Sequence, residues 1–404
     1  MGLERMYRTQ VEVATLPVAR WLEEYCRPER FASACEACPD YGRVWSCPPG
    51  VPAAQEAFAP YQRVHVVGVK VIYDEAVRAA AVTPERTEEL RQATYGKAKR
   101  VLLETLLELE KVLPGSWSVA AGRCELCPRC SRVDGLPCRM PERMRYSFSG
   151  FGFDLGRIAE ELLGMELLWS PQGLPDYNVA VAAFLEKSAE PGGVELEQKY
   201  VVRDTRPWPV FQQEAVGLLR RLGCAAAPAE ERNQRDTYYD TEDDAVLRAG
   251  CSLRVRRVGQ AGVLTWKGPA EDRRDGLFAR REEELPLFTD SLDGERERGF
   301  LRRCLAGLPG AGAGDLAPRV VVECLRRAVP VTGLDGDVYE LAFDEVVYRT
   351  PEGRALGGEH QMELECKAGA GTRLGQLTEA LERALPGLTP AKGSKYSRAR
   401  AAMR

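Results

Sequence analysis

The sequence predicts an α+β chain of two domains, a cysteine-rich α/β domain followed by a domain built mainly of antiparallel strands. Three observations predict this organisation. Eight of the 13 cysteines lie in the first 138 residues. Helix and strand patterns alternate in the first half, whereas short strands with alternating charge dominate the second half. The turn-rich segment KSAEPGG, at 187–193, separates the halves. We therefore place a first domain at 1–187, a linker at 188–193 and a second domain at 194–404.

The composition favours a soluble protein and argues against several classes. With 44% hydrophobic and 29% charged residues, the chain has ample material for two cores. A net charge of −4 argues against a protein that coats nucleic acid. The sequence has no apolar run of transmembrane length and no signal-peptide core, so we expect a cytoplasmic protein without a membrane partner. Because there are only two histidines, histidine-bound catalytic zinc and a Ser-His-Asp triad are not favoured.

The patterns of the first domain follow the order of a small α/β domain. RVHVVGVKVIY predicts a buried strand. Thr83 and Pro84 are typical of a helix start, and the helix is expected to run through ERTEELRQATYGKAKRVLLETLLELEKVL to Pro114. SWSVAAG predicts a strand that leads into the second cysteine group. DLGRIAEELLG predicts a helix, and MELLWS and NVAVAAFL predict two further strands.

The second cysteine group, CELCPRCSRVDGLPC, has the spacing C-x2-C-x2-C-x7-C. Three thiolates at this spacing can surround one corner of an iron–sulfur cluster, and a fourth completes the set. Four thiolates also suit tetrahedral Zn²⁺, so a structural zinc is the alternative. The predicted ligands are Cys124, Cys127, Cys130 and Cys138.

The first cysteine group has the spacing C-x8-C-x2-C-x8-C, from Cys26 through Cys35 and Cys38 to Cys47. In a reducing compartment such clusters indicate metal or redox chemistry and not disulfides. The group predicts either a second metal site or ligands that are shared in space with the second group. The other five cysteines are scattered, and we expect them to be small buried hydrophobic residues.

Both groups lie in a pattern that resembles a known family. CxxC followed by WSCPPG, and then CxxCxxC with PCRMPERMRYSFSGFGFDL, is similar to the predicted metal-binding proteins called domain of unknown function 2284. The resemblance covers about residues 5–187. It implies cysteine-bound metal, either one or more 4Fe–4S clusters or Zn²⁺, and it implies no particular reaction or redox partner.

The second domain opens with VELEQKYVV, in which Glu195, Glu197 and Lys199 lie on one face of a strand and the other face is suited to packing. Seven more strands are predicted, in RDTYYDT, SLRVRRV, VLTWKG, ARREEELPL, RVVVECLRR, VYELAFDEVVY and HQMELECK. Helices are predicted at PVFQQEAVGLLRRLG, RERGFLRRCLAGL and RLGQLTEALERAL. Eight strands with one charged face predict an antiparallel barrel or a strongly curved sheet with an internal polar face.

Charged residues of both signs recur at every second position along these strands. After the first strand they include Arg254, Arg256, Lys267, Arg280, Glu282, Glu284, Arg326 or Arg327, Asp344, Glu363, Glu365, Lys395 and Arg398. Burying an unpaired charge is costly. A polyanion with divalent cations would remove that cost, because carboxylates bind Mg²⁺ or Mn²⁺ and basic side chains bind phosphate oxygens. The pattern therefore predicts a compact polyphosphate ligand, with metal on one side and basic residues on the other.

The same residues carry a second resemblance, from about residue 194 onward. ELEQK, YYDT, LRVR, LTWKGP, RREEE, LAFDEV, ELE and SKYSR follow the order of the CYTH superfamily, the triphosphate tunnel metalloenzymes. The resemblance implies an eight-stranded antiparallel tunnel with flanking helices. It also implies hydrolysis of inorganic tripolyphosphate, thiamine triphosphate or a nucleoside triphosphate, or cyclisation of ATP to cAMP.

The resemblance implies roles for individual residues by their position. Metal ligands would be Glu195, Glu197, Glu363 and Glu365, with Glu282 and Glu284 binding a second metal or orienting water. Phosphate would be held by Lys199, Arg254, Arg256 and Lys267, extended by Arg280 and by Arg326 or Arg327. A shift of one residue at RREEE would bring in Arg281 and Glu283 instead, and Asp344 and Lys395 would have supporting roles.

The predicted function is divalent-metal-dependent hydrolysis of a small triphosphate in the second domain. Hydrolysis is favoured over cyclisation because cyclases of this superfamily usually have a histidine-containing start before ExExK, and the segment before ELEQK has no histidine. Three alternatives stay open. They are a sensor that binds a triphosphate or nucleotide without turnover, a redox protein whose second domain is regulatory, and an adenylate cyclase resembling class IV.

Overall fold

The structure is a computed structural model that divides into two compact units. It describes residues 6–170, 173–187, 193–269, 271–272 and 278–403, without the side chains of residues 193–195, 258, 271–272, 278–280 and 313. One unit extends to residue 189 and the other starts at residue 190, with 258–261 and 288–290 grouped with the first. Within the described part of the chain, no helix is long and apolar enough to cross a bilayer.

The N-terminal unit contains a four-stranded antiparallel sheet with the strand order β1-β2-β4-β3. Its elements are β1 (Tyr7–Pro17), α1 (Val18–Tyr25), α2 (Pro28–Glu36), α3 (Ala54–Phe58), β2 (Arg63–Tyr73), α4 (Glu75–Ala79), α5 (Pro84–Arg91), α6 (Lys97–Val112), β3 (Trp117–Val119), α7 (Leu155–Arg157) and β4 (Tyr177–Glu186). The sequence analysis did not predict β1. It is an edge strand whose residues are mostly exposed or half-buried, so it lacks the apolar run that reveals β2.

Aromatic side chains form the core on one side of this sheet. Trp21 of α1 packs on Phe153, Phe58 and Phe148, with ring centroids 4.1, 5.1 and 5.3 Å apart. All four rings are buried, and burying each stabilises the fold by about 1.5–3 kcal/mol. Two of them, Phe148 and Phe153, belong to the SFSGFGFDL motif, so this part of the family pattern builds the core beside the cysteine loops.

The helix predicted after Thr83 is present, and the strand predicted at MELLWS is absent. Thr83 Oγ1 accepts a hydrogen bond from the backbone of Arg86 at 3.2 Å, as an N-cap does. α5 and α6 are joined by one π-helical turn at Gln92–Gly96. Residues 165–170 form no strand, because Met165 packs into the core whereas Trp169 is 88% exposed.

The C-terminal unit contains one large sheet of eleven strands, and every strand pairing with a determined register is antiparallel. Its elements are β5 (Gly193–Val202), α8 (Trp208–Arg221), β6 (Ala225–Ala226), β7 (Glu230–Asp240), α9 (Ala245–Arg248), β8 (Ser252–Val258), β9 (Ala261–Lys267), β10 (Glu271–Asp272), β11 (Phe278–Leu287), α10 (Glu295–Cys304), β12 (Ala317–Thr332), β13 (Val338–Arg349), β14 (Ala355–Ala368), α11 (Leu374–Ala384), β15 (Leu388–Pro390) and α12 (Lys395–Ala401).

The eight long strands form a closed circuit. Neighbours are hydrogen-bonded in the order β5-β11-β9-β8-β7-β12-β13-β14, and β14 pairs with β5 again. These eight strands coincide with the eight predicted segments. The sheet has eleven strands and not eight, because the short strands β6, β10 and β15 join its margins. Closure gives the sheet an enclosed face, as in a barrel.

Helices cover the outer face of the barrel. Tyr200 of β5, Leu341 of β13 and Met362 of β14 pack against Phe211 of α8 and Leu377 of α11. On the strands β8, β9 and β11, α10 covers a second apolar cluster. Because strand side chains alternate, the residues between these apolar positions face the enclosed side.

Candidate functional site

The enclosed face of the barrel carries most of the charged residues that the sequence singled out. The described members are Glu197 and Lys199 on β5, Asp236 on β7, Arg254 and Arg256 on β8, Lys267 on β9, Glu282 and Glu284 on β11, Arg326 on β12, Glu340 and Asp344 on β13, and Glu363 and Glu365 on β14. Lys395 of α12 joins them. We call this set the charged interior.

Two buried carboxylates and two cations form its tightest network. Lys395 Nζ lies 2.8 Å from Asp344 Oδ2 and 2.6 Å from Glu363 Oε1. Arg326 Nη2 lies 2.7 Å from Asp344 Oδ2 and 2.5 Å from Glu363 Oε2. Burial alone would raise the pKa of both carboxyls, but Lys395 and Arg326 hold each pKa below its ordinary value. Both carboxylates are therefore charged and paired at neutral pH.

Three further carboxylates lie side by side on neighbouring strands. Glu365 stands directly opposite Glu197 of β5 and opposite Glu340 of β13. Lys199 Nζ lies 2.6 Å from Glu197 Oε1, and Lys367 Nζ lies 2.7 Å from Glu365 Oε2. Like charges directly across a sheet repel each other, so a cation between these carboxylates would stabilise them.

A second carboxylate pair lies on β11. Lys267 Nζ is 3.4 Å from Glu282 Oε2, and the hydroxyl of Thr265 donates to Glu284 Oε1 at 3.2 Å. Burial and the neighbouring Glu282 raise the pKa of Glu284, and Arg254 and Lys267 oppose that rise. Buried carboxylates this close to each other are expected where a cation or a proton is to be bound.

Two arginines share one carboxylate that the sequence analysis did not single out. Arg256 Nε and Nη2 donate to Asp236 Oδ1 and Oδ2, both at 2.8 Å, and Arg254 Nη1 donates to Oδ2 at 3.1 Å. Asp236 lies in the predicted strand RDTYYDT. The sequence places a carboxylate on β7 and two arginines on β8, but it does not show which residues are neighbours. That depends on the β7–β8 register, which places Asp236 opposite Arg256.

The structure separates the residues that the sequence left open. Arg326 joins the charged interior, whereas Arg327 Nη1 donates to Gln212 of α8 at 2.8 Å on the outer face. Arg281 and Glu283 pair with each other at 2.5 Å on the outer side of β11, so Glu282 and Glu284 have the inward register. The side chains of Glu195 and Arg280 lie outside the described residues, and only their backbones, opposite each other on β5 and β11, are placed.

The helix α12 closes part of the barrel with its own side chains. Tyr396 stacks on Tyr238 of β7 with ring centroids 5.1 Å apart, and its hydroxyl donates to Asp240 Oδ2 at 2.9 Å. Val320, Val322, Cys324, Val346 and Tyr348 complete an apolar cluster around it. Arg398 Nε donates to Glu359 Oε1 at 2.8 Å. The charged interior thus borders an apolar end anchored by α12.

The donors of the charged interior fit a divalent cation that prefers oxygen. Its acidic members are all carboxylates on adjacent strands, a donor set that suits Mg²⁺ or Mn²⁺. Among the described side chains, no three Asp, Glu, Cys or His residues stand at metal-coordination spacing. The fit therefore rests on the chemistry of the donors and on the close approach of like-charged carboxylates on neighbouring strands.

In the N-terminal unit, the second cysteine group lines a single small cavity. Cys124, Cys127, Cys130 and Cys138 all border this space of about 20 Å³. Burial, followed by the neighbouring thiols, raises the pKa of Cys124. Four thiols around one cavity are the donor set of an iron–sulfur cluster or a structural zinc, although they too lack metal-coordination spacing as described.

The two cysteine groups are fastened together. Ser46 Oγ accepts a hydrogen bond from the backbone of Cys124 at 2.8 Å, and it lies 3.8 Å from Cys47 Sγ. Arg132, which lies between Cys130 and Cys138 of the second group, donates to the carbonyls of Val44 and Cys47 at 2.9 and 3.0 Å. The loop that carries Cys47 is therefore held by residues of the second group.

Cys26 differs from the other members of the first group. It pairs with Phe153 in an isolated bridge, packs in the aromatic core and donates from its thiol to the carbonyl of Phe151 at 3.5 Å. Burial raises its pKa to about 11. Burial raises the pKa of Cys47 to about 11, and the nearby thiols of Cys38 and Cys35 add to that rise.

Comparison with known families agrees with the two halves of the chain. Residues 12–184 match the family model of DUF2284, described as a predicted metal-binding protein, and residues 212–399 match the model of the CYTH domain. Each half of the chain therefore matches one of the two families that its motifs resemble. No curated protein matches the chain.

Several solved structures resemble part of the chain at low similarity. HpAC1 of Hippeastrum, named as a candidate adenylyl cyclase with a dominant triphosphatase activity, is 17% identical with a TM-score of 0.35 and covers 51% of this chain and 95% of its own. A candidate adenylate cyclase of Bacillus halodurans is 14% identical with a TM-score of 0.32, covering 52% and 98%. The mimivirus capping enzyme triphosphatase is 10% identical with a TM-score of 0.25, covering 46% and 88%.

Proposed function

We propose that the C-terminal barrel binds a triphosphate and hydrolyses it with the help of Mg²⁺ or Mn²⁺. One observation carries the proposal: carboxylates and basic side chains from eight strands and α12 face one enclosed space. The match of residues 212–399 to the CYTH domain supports it. A closed barrel filled with charges of both signs is costly unless a ligand of mixed charge, such as a metal triphosphate, occupies it.

Basic side chains would bind the phosphate oxygens, and carboxylates would bind the cation. Arg254, Arg256 and Lys267 lie on the adjacent strands β8 and β9, where guanidinium and ammonium groups can bind phosphate oxygens. Glu197 and Glu365 stand opposite each other on β5 and β14 and would hold the cation. The cation, when bound, would neutralise the phosphate chain and lower the pKa of a water molecule.

The residues of the chain then supply the remaining chemistry. Arg254, Arg256 and Lys267 stabilise the negative charge that develops on phosphate oxygens in a loose phosphoryl-transfer transition state. Glu282 and Glu284 face these cations from β11 and can orient the attacking water. Because the pKa of Glu284 is raised, this carboxylate is also a better proton acceptor than an ordinary glutamate.

We further propose that the substrate is an inorganic triphosphate and not a nucleotide. The aromatic side chains described on the enclosed face are Tyr238, Tyr348 and Tyr396, and all three are engaged at the α12 end. In the described part of the charged interior, no aromatic ring is available to stack on a base or a thiamine ring. We therefore rank tripolyphosphate first among the substrates, ahead of thiamine triphosphate and ATP.

For the N-terminal domain, we propose that it binds metal through its cysteines, as an iron–sulfur cluster or Zn²⁺. The four thiols around one cavity and the match to a predicted metal-binding family support this proposal. A second candidate for the whole protein is a sensor that binds triphosphate without turnover. One observation favours it: Asp344 and Glu363 are already neutralised by Lys395 and Arg326, so these two carboxylates do not require a metal.

The test is phosphate release by the full-length protein, purified without oxygen, from tripolyphosphate, thiamine triphosphate and ATP. Each is assayed with Mg²⁺ and with Mn²⁺. Glu197→Gln keeps the size of the side chain and removes its charge, and we expect it to lower metal-dependent release about 100-fold. Glu345→Gln, on the exposed outer side of β13, is the matched control and should leave the rate unchanged.

Two results would contradict the proposal. One is a folded wild-type protein that releases no phosphate from any of the three substrates, which favours the sensor. The other is release that Glu197→Gln and Glu345→Gln affect equally, which would place the activity outside the charged interior.

A further inference from the structure

Asp236 lies between two arginines of the charged interior. Its carboxylate accepts three hydrogen bonds, two from Arg256 at 2.8 Å and one from Arg254 at 3.1 Å. The β7–β8 register fixes this arrangement, because it sets Asp236 directly opposite Arg256. One carboxylate therefore binds both guanidinium groups that would hold phosphate.

The arrangement leaves positive charge and an unused donor. Asp236 is 3% exposed, and burial alone would raise its pKa, but Arg256 and Arg254 lower it, so the group stays ionised. Two guanidinium groups exceed one carboxylate by one positive charge. In the described structure, Nε of Arg254 is buried and has no hydrogen-bond partner. Both features suit an incoming anion.

We propose that Asp236 is a positioning residue, which holds the guanidinium groups of Arg254 and Arg256 in place before the triphosphate arrives. The inference rests on the proposed function and adds to it a residue that does not touch the reacting atoms. An arginine side chain has several rotatable bonds, so fixing it in advance lowers the entropy cost of ordering it in the transition state.

The same carboxylate opposes binding of the substrate. A carboxylate and a phosphate repel each other, and the repulsion is stronger where water is excluded. Asp236 therefore weakens ground-state binding of the triphosphate while it maintains the geometry that the transition state needs. Removing the charge of Asp236 should therefore strengthen triphosphate binding and slow turnover. A merely structural role would instead weaken both.

The test is Asp236→Asn in the full-length protein. An amide keeps the shape of the side chain but has one acceptor oxygen and no charge, so it cannot receive all three hydrogen bonds. We expect tripolyphosphate to bind about tenfold more tightly, because the repulsion is gone. We expect kcat to fall about 10-fold to 100-fold, because the arginines are no longer held. Calorimetric titration without divalent metal measures binding, and phosphate release with Mg²⁺ measures kcat.

Glu323→Gln is the matched control. Glu323 also bridges two arginines, Arg235 at 2.7 Å and Arg349 at 2.6 Å, but it lies on the outer side of β12. This control should change neither tripolyphosphate binding nor kcat. Equal binding and equal kcat in Asp236→Asn and wild type would overturn the inference, and so would parallel weakening of both.

Two further outcomes keep the inference separate from the proposed function. If Asp236→Asn does not fold, Asp236→Glu retains the charge and displaces it by one methylene. It should bind tripolyphosphate within about twofold of wild type but turn it over more slowly, and an unchanged kcat would overturn the inference. If wild type releases no phosphate, the proposed function fails whatever Asp236 does, whereas a wild type that turns over tripolyphosphate and an Asp236→Asn variant of unchanged kcat overturn the positioning role alone.

Discussion

Lys395 joins α12 to two buried carboxylates, and its removal tests the electrostatics of the barrel directly. Its ammonium lies 2.8 Å from Asp344 and 2.6 Å from Glu363. Asp344 is fully buried, and Glu363 is 5% exposed. In Lys395→Met, both carboxylates would keep Arg326, and Glu363 would also keep the electrostatic effect of Lys199 opposite it.

The contacts set the size of the expected effect. Removing one partner of a buried ion pair costs about 3–5 kcal/mol, because it leaves an uncompensated buried charge. Since Arg326 still contacts both carboxylates, we expect the lower end, about 3 kcal/mol. For a unit of about 200 residues, each kcal/mol lowers Tm by roughly 2–4 °C, so the C-terminal unit should melt roughly 6–12 °C lower.

The loss should depend on pH in a definite direction. Burial raises the pKa of Asp344 and Glu363, but Lys395 and Arg326 outweigh it, and both pKa values lie below normal in the folded state. Such groups stabilise the fold above their unfolded pKa of about 4, and that stability is lost as the pH falls through the folded pKa. As the pH falls, Lys395→Met should therefore lose stability at a higher pH than wild type. The difference between their free energies of unfolding should shrink in acid.

Urea unfolding at pH 7 and at pH 3.5, followed by circular dichroism, measures both effects. Lys367→Met is the matched control, because Lys367 pairs with Glu365 on the same strand at 2.7 Å but its side chain is 43% exposed. We expect the control to cost less than about 1 kcal/mol. The reasoning is refuted if Lys395→Met matches wild type at pH 7, or if its deficit is as large at pH 3.5 as at pH 7.

Two predictions concern the N-terminal unit. Cys26 lies in the aromatic core whereas Cys127 lines the four-thiol cavity, so Cys127→Ser should lose most of its metal by elemental analysis and Cys26→Ser should keep it. Equal loss would place Cys26 among the ligands. Gly152 has a φ of +79°, and a Cβ there would lie 2.3 Å from Pro28 Cα, so Gly152→Ala should cost at least about 3 kcal/mol. Gly135→Ala is the control, because Gly135 has a φ of +69° but nothing lies within 4 Å of the added Cβ, and it should cost about 1–2 kcal/mol. Thermal melts that show similar losses of stability for the two variants would rule out the steric cause.

Some misses of the sequence analysis have a common physical origin. β1 is an edge strand with mostly exposed or half-buried residues, so its pattern does not differ from that of a loop. MELLWS is apolar enough for a strand, yet Met165 is buried in the core and Trp169 points to solvent. In both cases, whether the segment forms a strand depends on its neighbours in the sheet, and these neighbours cannot be read from a local sequence pattern.

The site shows the same division. Alternation along β5 was sufficient to place Glu197 and Lys199 on one face and Tyr200 on the other, because the period of a strand is fixed by its backbone. The role of Asp236 was missed because it depends on which residue of β8 lies opposite, and register is set by the whole sheet. The spacing of the first cysteine group predicts Cys26 as a metal ligand with the other three thiols, and only the tertiary structure shows that the aromatic core surrounds it.

The sequence by itself therefore determined the mixed α+β class, the eight long strand segments of the second half and the charges that alternate along them. These properties are local, since backbone geometry converts residue spacing directly into faces and turns. Only the tertiary structure decided that Arg326 and not Arg327 joins the charged interior, that Glu282 and Glu284 face inward, and that Lys395 reaches Asp344. Those outcomes depend on strand register and barrel closure, which bring together residues far apart in the chain and which no single segment specifies.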